Sequence, residues 1–235
     1  FFESTRLIRY EKLIIQRFNI NFFVNPMEMN FFNGRTCLLQ NGVDFKKFDG
    51  LKYDSSFKNS VAFFGNMRVQ HNIDAVIWFI ENVFKKLDSN VEFMIIGVNP
   101  PKKILKYQQK YKNIKVTGFI DNPYQMLKSC RCIVAPLQTG AGIQNKILEA
   151  MGLGTINIIS SLAALPINGV KGEHYLVCDS PIEMINIIKD IFMNYEKYNF
   201  LKKNLKKFIM DNFTWNKYEG ILIEELSKIG ISQSK

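Results

Sequence analysis

This 235-residue chain has only two histidines and four cysteines, few of the side chains that hold zinc. Cys37, Cys130, Cys132 and Cys178 lack C-x-x-C spacing, which argues against a structural zinc site. They read as small core residues in a reducing compartment. Cys130 and Cys132, two apart, would share one face if the run they open is a strand. No apolar run is long enough to cross a bilayer, and the first residues are not expected to act as a signal peptide. There is no Ser-His-Asp set, no paired-carboxylate spacing and no G-x-x-x-x-G-K-[ST] loop, which argues against hydrolase and kinase chemistry. Internal repeats and low-complexity segments are also lacking.

What is present is an ordinary globular composition, 47% apolar and 22% charged, enough to build a full core. The net charge of +10 admits nucleic acid, an anionic membrane surface or phosphorylated substrates as partners. The basic residues are spread, with local clusters at 99–112 and 201–208, a pattern that favours solvated helix faces. The aromatic-plus-basic patterning of single-strand binders is missing, so no nucleic-acid partner is expected. Peripheral attachment to an anionic membrane stays open. The chain starts at FFESTRLIRYEKLIIQRF without an initiator Met, which reads like the interior of a longer protein.

Residues 3–18 place Leu7, Ile8, Leu13, Ile14 and Phe18 among Arg and Lys, the pattern of an amphipathic helix. INFFVN (20–25) reads as a short buried strand, and TCLLQNGVDFKKF (36–48) as a second apolar run with Asn41-Gly42 as a turn. The polar stretch 49–59 reads as an interdomain linker. From residue 60 strands and helices alternate. SVAFFGN (60–66) is an unbroken apolar strand, and Asn72 is placed to cap a helix carrying Ile73, Val76, Ile77, Ile80, Phe84 and Leu87. Strand VEFMIIGV (91–98), a basic helix from Pro100-Pro101 to about Lys112, strand IKVTGF (114–119), a short helix from Pro123 and strand CIVAPL (132–137) follow. INIIS (156–160), HYLVCD (174–179) and helices at 181–195, 198–210 and 215–228 complete the series. The fold class predicted is α/β, a doubly wound Rossmann-like parallel sheet with ligands at the carboxyl ends of its strands.

Four loops fall at that edge. In TGAGIQNKILEAMGLG (139–154), Gly140 and Gly142 can take positive φ, and a helix from about Ile143 offers free N–H groups and a positive dipole end. The dipole supplies only about 0.3–1 kcal/mol, so a diphosphate needs a cation as well. Lys146, in the first turn, is placed to provide it. Glu149 can accept two hydroxyl hydrogen bonds from a ribose. Spacing alone fits a tight strand-to-helix turn with a surface glutamate equally well. In FFGNMRVQHN (63–72), Gly65 and Asn66 end a strand; Arg68 and His71 either face a phosphate or sugar or are plain loop and helix-start residues. In TGFIDN (117–122), Gly118 ends a strand, and the backbone near Phe119 and Ile120 can frame a flat base. The fourth loop, 160–174, is small and turn-rich, and its His174 reads as structural.

The stretch CIVAPLQTGAGIQNKILEAMGLGTINIIS resembles the donor-binding segment of glycosyltransferase family 4, the retaining sugar transferases of GT-B fold. In pattern it is nearest to bacterial sugar transferases of exopolysaccharide loci. FFGNMRVQHNIDAVIWFIENVF, FMIIGVNPP, IKVTGFIDNPYQML and LLQNGVDFKKF fall in the order that family shows, and the likeness spans essentially the whole chain. It implies a donor-binding Rossmann-like domain at 60–212, a linker at 49–59, the last helix and strand of the acceptor domain at 1–48, and a terminal helix at 213–235 crossing back towards that domain. The implied reaction moves a sugar, with retention, from a nucleotide-diphosphate sugar to a glycan or lipid-linked acceptor, and needs neither metal nor other cofactor. The implied setting is the cytoplasm, or the inner face of the membrane.

The same resemblance distributes roles. Gly140, Ala141, Gly142, Ile143 and Gln144 match the loop over the pyrophosphate and sugar, with Thr139, Gly65, Asn66, Arg68 and Lys146 completing the expected donor contacts. Glu149 matches the second Glu of the family's Glu-x7-Glu motif, expected on the ribose, with Gly118, Phe119 and Ile120 at the nucleoside. Two departures stand out. The first Glu of that motif falls at Ala141, and the Arg and Lys common after the first strand are here Asn66 and His71. Arg68 and Lys146 would supply the lost positive charge. Catalytic groups are expected in the acceptor domain preceding Phe1, so the chain should bind nucleotide and turn over poorly or not at all. The competing reading is a degenerate, non-catalytic Rossmann-like module kept for protein contacts, with Ala141 as its signature.

Overall fold

The computed structural model describes residues 2–140, 142 and 144–231. Helix α1 (Phe2–Ile15), strand β1 (Asn21–Phe23), helix α2 (Pro26–Met29) and strand β2 (Thr36–Leu38) form an N-terminal unit in which β1 and β2 pair in parallel. Then come β3 (Ser60–Phe64), α3 (Gln70–Asn82), β4 (Glu92–Ile96), α4 (Lys102–Lys110), β5 (Ile114–Gly118), α5 (Tyr124–Ser129) and β6 (Cys132–Ala135). The chain continues through α6 (Asn145–Gly152), β7 (Asn157–Ile159), α7 (Ser161–Ala164), β8 (Leu176–Val177), α8 (Pro181–Met193), α9 (Asn199–Asn212) and α10 (Trp215–Ser227).

Strands β3 to β8 form one all-parallel, six-stranded sheet in the order β5-β4-β3-β6-β7-β8. Their unbroken apolar runs are explained by burial on both faces. Val61, Phe63, Phe93, Ile95, Cys132 and Val134 enter one core, and the alternate residues Ala62, Met94, Ile96 and Ile133 enter the other. Helices α3, α8 and α9 close the first core with Phe79, Ile188 and Leu205, while Leu127 of α5 joins the second. The strand order reverses between β3 and β6, and a crevice opens there at the carboxyl ends.

The structure corrects several expectations. Helix α3 starts at Gln70 with Val69 as its cap residue, so Asn72 is no cap; it is buried in the first turn. The reason is local: the Asn66 side chain accepts from the Arg68 backbone N–H at 2.9 Å, closing the loop early. That helix ends at Asn82, and Phe84 belongs to a separate 3₁₀ turn that Leu87 closes. Helix α6 starts at Asn145 rather than near Ile143. Cys130 closes α5 and joins the second core whereas Cys132 opens β6 and joins the first, so they do not share a face. β1 is half-buried, because a two-stranded ribbon leaves its faces incompletely covered.

The stretch 49–59 is docked on α5: Lys128 Nζ donates to the Leu51 carbonyl at 2.8 Å and the Asp54 N–H to Ser129 Oγ at 2.9 Å. Helix α10 touches the N-terminal segment, with the Tyr218 hydroxyl donating to Gln40 Oε1 at 3.1 Å and Arg35 pairing with Glu225 at 3.3 Å. Among the described residues no helix is long and apolar enough to cross a membrane.

Candidate functional site

The carboxyl ends of β3, β4 and β5 and the start of α6 surround a cleft of about 550 Å³. Its floor depends on two glycines. Gly97, just after β4, has φ +153°, and a Cβ there would lie 1.8 Å from the Gly65 carbonyl oxygen. The close approach of the two strand ends therefore requires a bare backbone. Above Gly65 the space belongs to Lys146, whose Nζ would be 2.8 Å from an added Cβ.

One end of the cleft is cationic. Lys146 Nζ donates to Asn72 Oδ1 and sits 4.7 Å from the centroid of the Phe63 ring. Asn72 Nδ2 in turn donates to the Asn66 carbonyl at 2.8 Å. Burial pulls the Lys146 pKa down to about 7. Burial, and then the neighbouring Lys146, also lowers that of His71, against a hydrogen bond with the Gln144 side chain. The glycine loop crosses here with Gly140 at φ +123° and Gly142 at φ +78°, values only glycine adopts freely. A Cβ on Gly142 would lie 3.7 Å from Asn25 Nδ2, so the N-terminal unit reaches this loop. Asn41 reaches the same region, donating to Asn145 Oδ1 at 2.9 Å.

The other end is anionic. Glu149, one turn along α6, pairs with Lys47 at 3.4 Å. The Tyr124 hydroxyl faces the same carboxylate; burial first, and then the Glu149 charge, push its pKa well up. Its ring packs edge-on against Phe48 at 5.2 Å and Phe64 at 6.4 Å, which fixes where the hydroxyl points. Gly118, at φ +67°, turns the chain so that Phe119, 75% exposed, and Ile120 form an adjacent flat wall.

Of the residues expected from sequence, the structure gathers Gly65, Asn66, Gly118, Phe119, Ile120, Gln144, Lys146 and Glu149 around this cleft. Arg68 is exposed and is not part of its wall; nor are Thr139, Gly140 and Gly142, although Gly140 stands against the His71 ring. Ala141 and Ile143 lie outside the described residues. The wall also includes Gly97, Asn72 and Asn145, which sequence reasoning gave no ligand role. Gly97 had a usable signal: it ends its strand as Gly65 and Gly118 end theirs. Asn72 had none, because its role depends on what lies across the cleft. His174 is structural, its Nδ1 accepting from the Val170 N–H at 2.9 Å while its ring stacks 4.4 Å from Phe208. Chemically, a helix N-terminus with a cation suits a multiply charged anion, and a carboxylate one turn on suits a diol.

Comparison with known proteins bears on the fold and the family. A protein of Methanocaldococcus jannaschii described as an uncharacterised glycosyltransferase is 23% identical over 203 residues, 80% of this chain and 52% of that protein. The chain thus spans about half the length of the curated relative it matches. Sucrose-phosphate synthase of Thermosynechococcus elongatus superposes with a TM-score of 0.73 at 19% identity, covering 96% of this chain and 62% of that one. Anabaena HepE, solved in complex with UDP, superposes with a TM-score of 0.79 at 17% identity, covering 96% and 68%. These likenesses establish the fold, that of GT-B glycosyltransferases. Residues 58–194, more than half of the chain and all six strands of the large sheet, match the glycosyl transferases group 1 family. The chain belongs to that family.

Proposed function

We propose that this chain is the donor half of a retaining glycosyltransferase of family 4, holding a nucleotide-diphosphate sugar for transfer to a glycan or lipid-linked acceptor. The observation that carries the reading is Lys146: a half-buried lysine at the start of α6, facing the cleft at the switch point of a parallel sheet. In this reading Lys146, the N–H groups at the start of α6 and the glycine loop hold the diphosphate. Glu149 takes the ribose hydroxyls, and the Gly118–Ile120 edge takes the base. No metal or other cofactor is assigned a role, and the sugar's leaving phosphate is neutralised by protein groups. Retention, the exopolysaccharide setting, a place in the cytoplasm or at the inner membrane face, and catalytic groups from a further domain follow from the family resemblance. Thermal-shift titration with UDP, GDP and ADP, with Glu149→Ala as control, tests the binding claim. A midpoint raised by at least one nucleotide, and less so in the variant, is the expected result. No shift with any of the three would remove the donor-site reading and leave the non-catalytic module, which Ala141 in place of the usual Glu favours.

A further inference from the structure

A lysine whose ammonium is drawn out of water ordinarily faces a carboxylate, because a desolvated charge without a counterion is costly. Lys146 faces an amide. Its Nζ donates to Asn72 Oδ1 over the Phe63 ring, and Asn72, only 3% exposed, commits its own N–H to the Asn66 carbonyl at 2.8 Å. That second bond decides which way round the amide lies and turns Oδ1 towards the lysine.

The charged and titratable groups nearby do not replace a counterion. From α3 there is His71, with Asp74 acting on it. On α6 itself there is Glu149, which pairs with Lys47. Arg68, on the loop after β3, is exposed and off the cleft wall. The adjoining parts of β3 and β4 and their ends contribute Phe63, Gly65, Ile96 and Gly97, none of them titratable. Among the described residues no carboxylate pairs with Lys146. Desolvation without compensation is the one cause acting on its pKa, which falls to about 7.

Resting on the donor-site reading above, we propose that a nucleoside diphosphate binds together with a proton. Above neutral pH Lys146 stands uncharged in the empty cleft and is protonated from solvent as the diphosphate arrives, and Asn72 is the positioning residue that aims its nitrogen at the ligand. One N–H bond forms on Nζ and one buffer molecule loses its proton; nothing else changes covalently. The amide is the fitting partner for this. A carboxylate at position 72 would keep the charge on the lysine permanently and compete with the diphosphate for it.

The test is calorimetric titration with UDP at pH 7.5 and 8.5, where a terminal phosphate with a second pKa of about 6 is fully ionised. Each titration is run in two buffers of different ionisation heat. One proton linked to a free-state pKa of about 7 makes Kd rise roughly eightfold across that pH unit. The apparent heat then depends on the buffer in the sense of proton uptake. Lys146→Arg, permanently charged, binds with a flat pH profile. Asn72→Asp binds more weakly and also flattens the profile, whereas a merely structural role for Asn72 would lower the unfolding midpoint and leave the slope intact. His71→Gln keeps the slope, because the lowered pKa of His71 leaves it neutral throughout this range. UDP binding with equal Kd at both pH values and no buffer-dependent heat would overturn the proposal, as would a slope that vanishes in His71→Gln and survives in Lys146→Arg. Absence of UDP binding at either pH would instead overturn the donor-site reading, and this inference with it.

Discussion

The two ends of the cleft carry opposite charges and treat them in opposite ways. At the cationic end Lys146 is half-buried, its ammonium largely desolvated, and has a neutral amide for its partner. At the anionic end Glu149 keeps 21% of its side chain exposed and has a lysine for its partner. A buried charge without a counterion destabilises the fold that contains it, so its position is explained by something that arrives later. A half-exposed ion pair contributes little to stability, and water or a hydroxyl can replace either member cheaply. The cationic end is therefore built at a cost to the empty protein. The anionic end costs nearly nothing.

Substitutions can break this contrast. The largest effect is expected at the floor the strand ends share: Gly97→Ala puts a Cβ into the Gly65 carbonyl, at a backbone angle that disfavours any side chain. It should destabilise the fold by about 3 kcal/mol in denaturant unfolding. Next is Lys146→Met, with two opposite readouts. UDP affinity should fall about 100-fold, the scale of one or two charge-assisted hydrogen bonds. The empty protein should gain on the order of 1–2 kcal/mol near pH 7. The sign follows from the lowered pKa: between about 7 and 10.5 the unfolded chain holds the proton and the folded one does not, so wild-type stability rises with pH across that window. The advantage of the Met variant should shrink in step, as thermal unfolding at pH 7 and pH 10 will show.

The anionic end should respond more weakly. Glu149→Gln replaces a charged acceptor with a neutral one and should weaken UDP about tenfold by calorimetry, with little change in unfolding midpoint. Smallest of all, Lys47→Ala should alter stability by less than about 1 kcal/mol and UDP affinity by no more than about threefold. If Lys47→Ala proved costlier than Lys146→Met for binding, the assignment of the two ends would be reversed.

Much of the scaffold was legible from periodicity. The runs at 60–66, 91–98 and 132–137 read as strands buried on both faces, and the structure places β3, β4 and β6 within them. The errors fell where a local signal competed with packing. Asn72 looks like a helix cap because asparagine often caps, yet the turn at Asn66 starts the helix three residues earlier and leaves Asn72 inside. Cys130 and Cys132 look like one face of a strand, yet the helix before β6 ends at the first of them. For the cleft, Gly65, Gly118, Lys146 and Glu149 were marked by their neighbours in sequence, and Gly97 was not. Arg68 was marked on the same grounds, and its side chain lies elsewhere.

By itself the sequence determined the alternation of strands and helices, the parallel sheet and the edge at which a ligand would bind. Hydrophobic period and glycine position are local properties, and they survive without knowledge of the fold. Only the tertiary structure decided which polar groups share the cleft. Asn72 lies 74 residues from Lys146, and Lys47 lies 102 residues from Glu149. Charge and burial at those sites are set by neighbours distant along the chain, so the pairing of a lysine with an amide, and of a glutamate with a lysine, exists only once the sheet has brought its strand ends together.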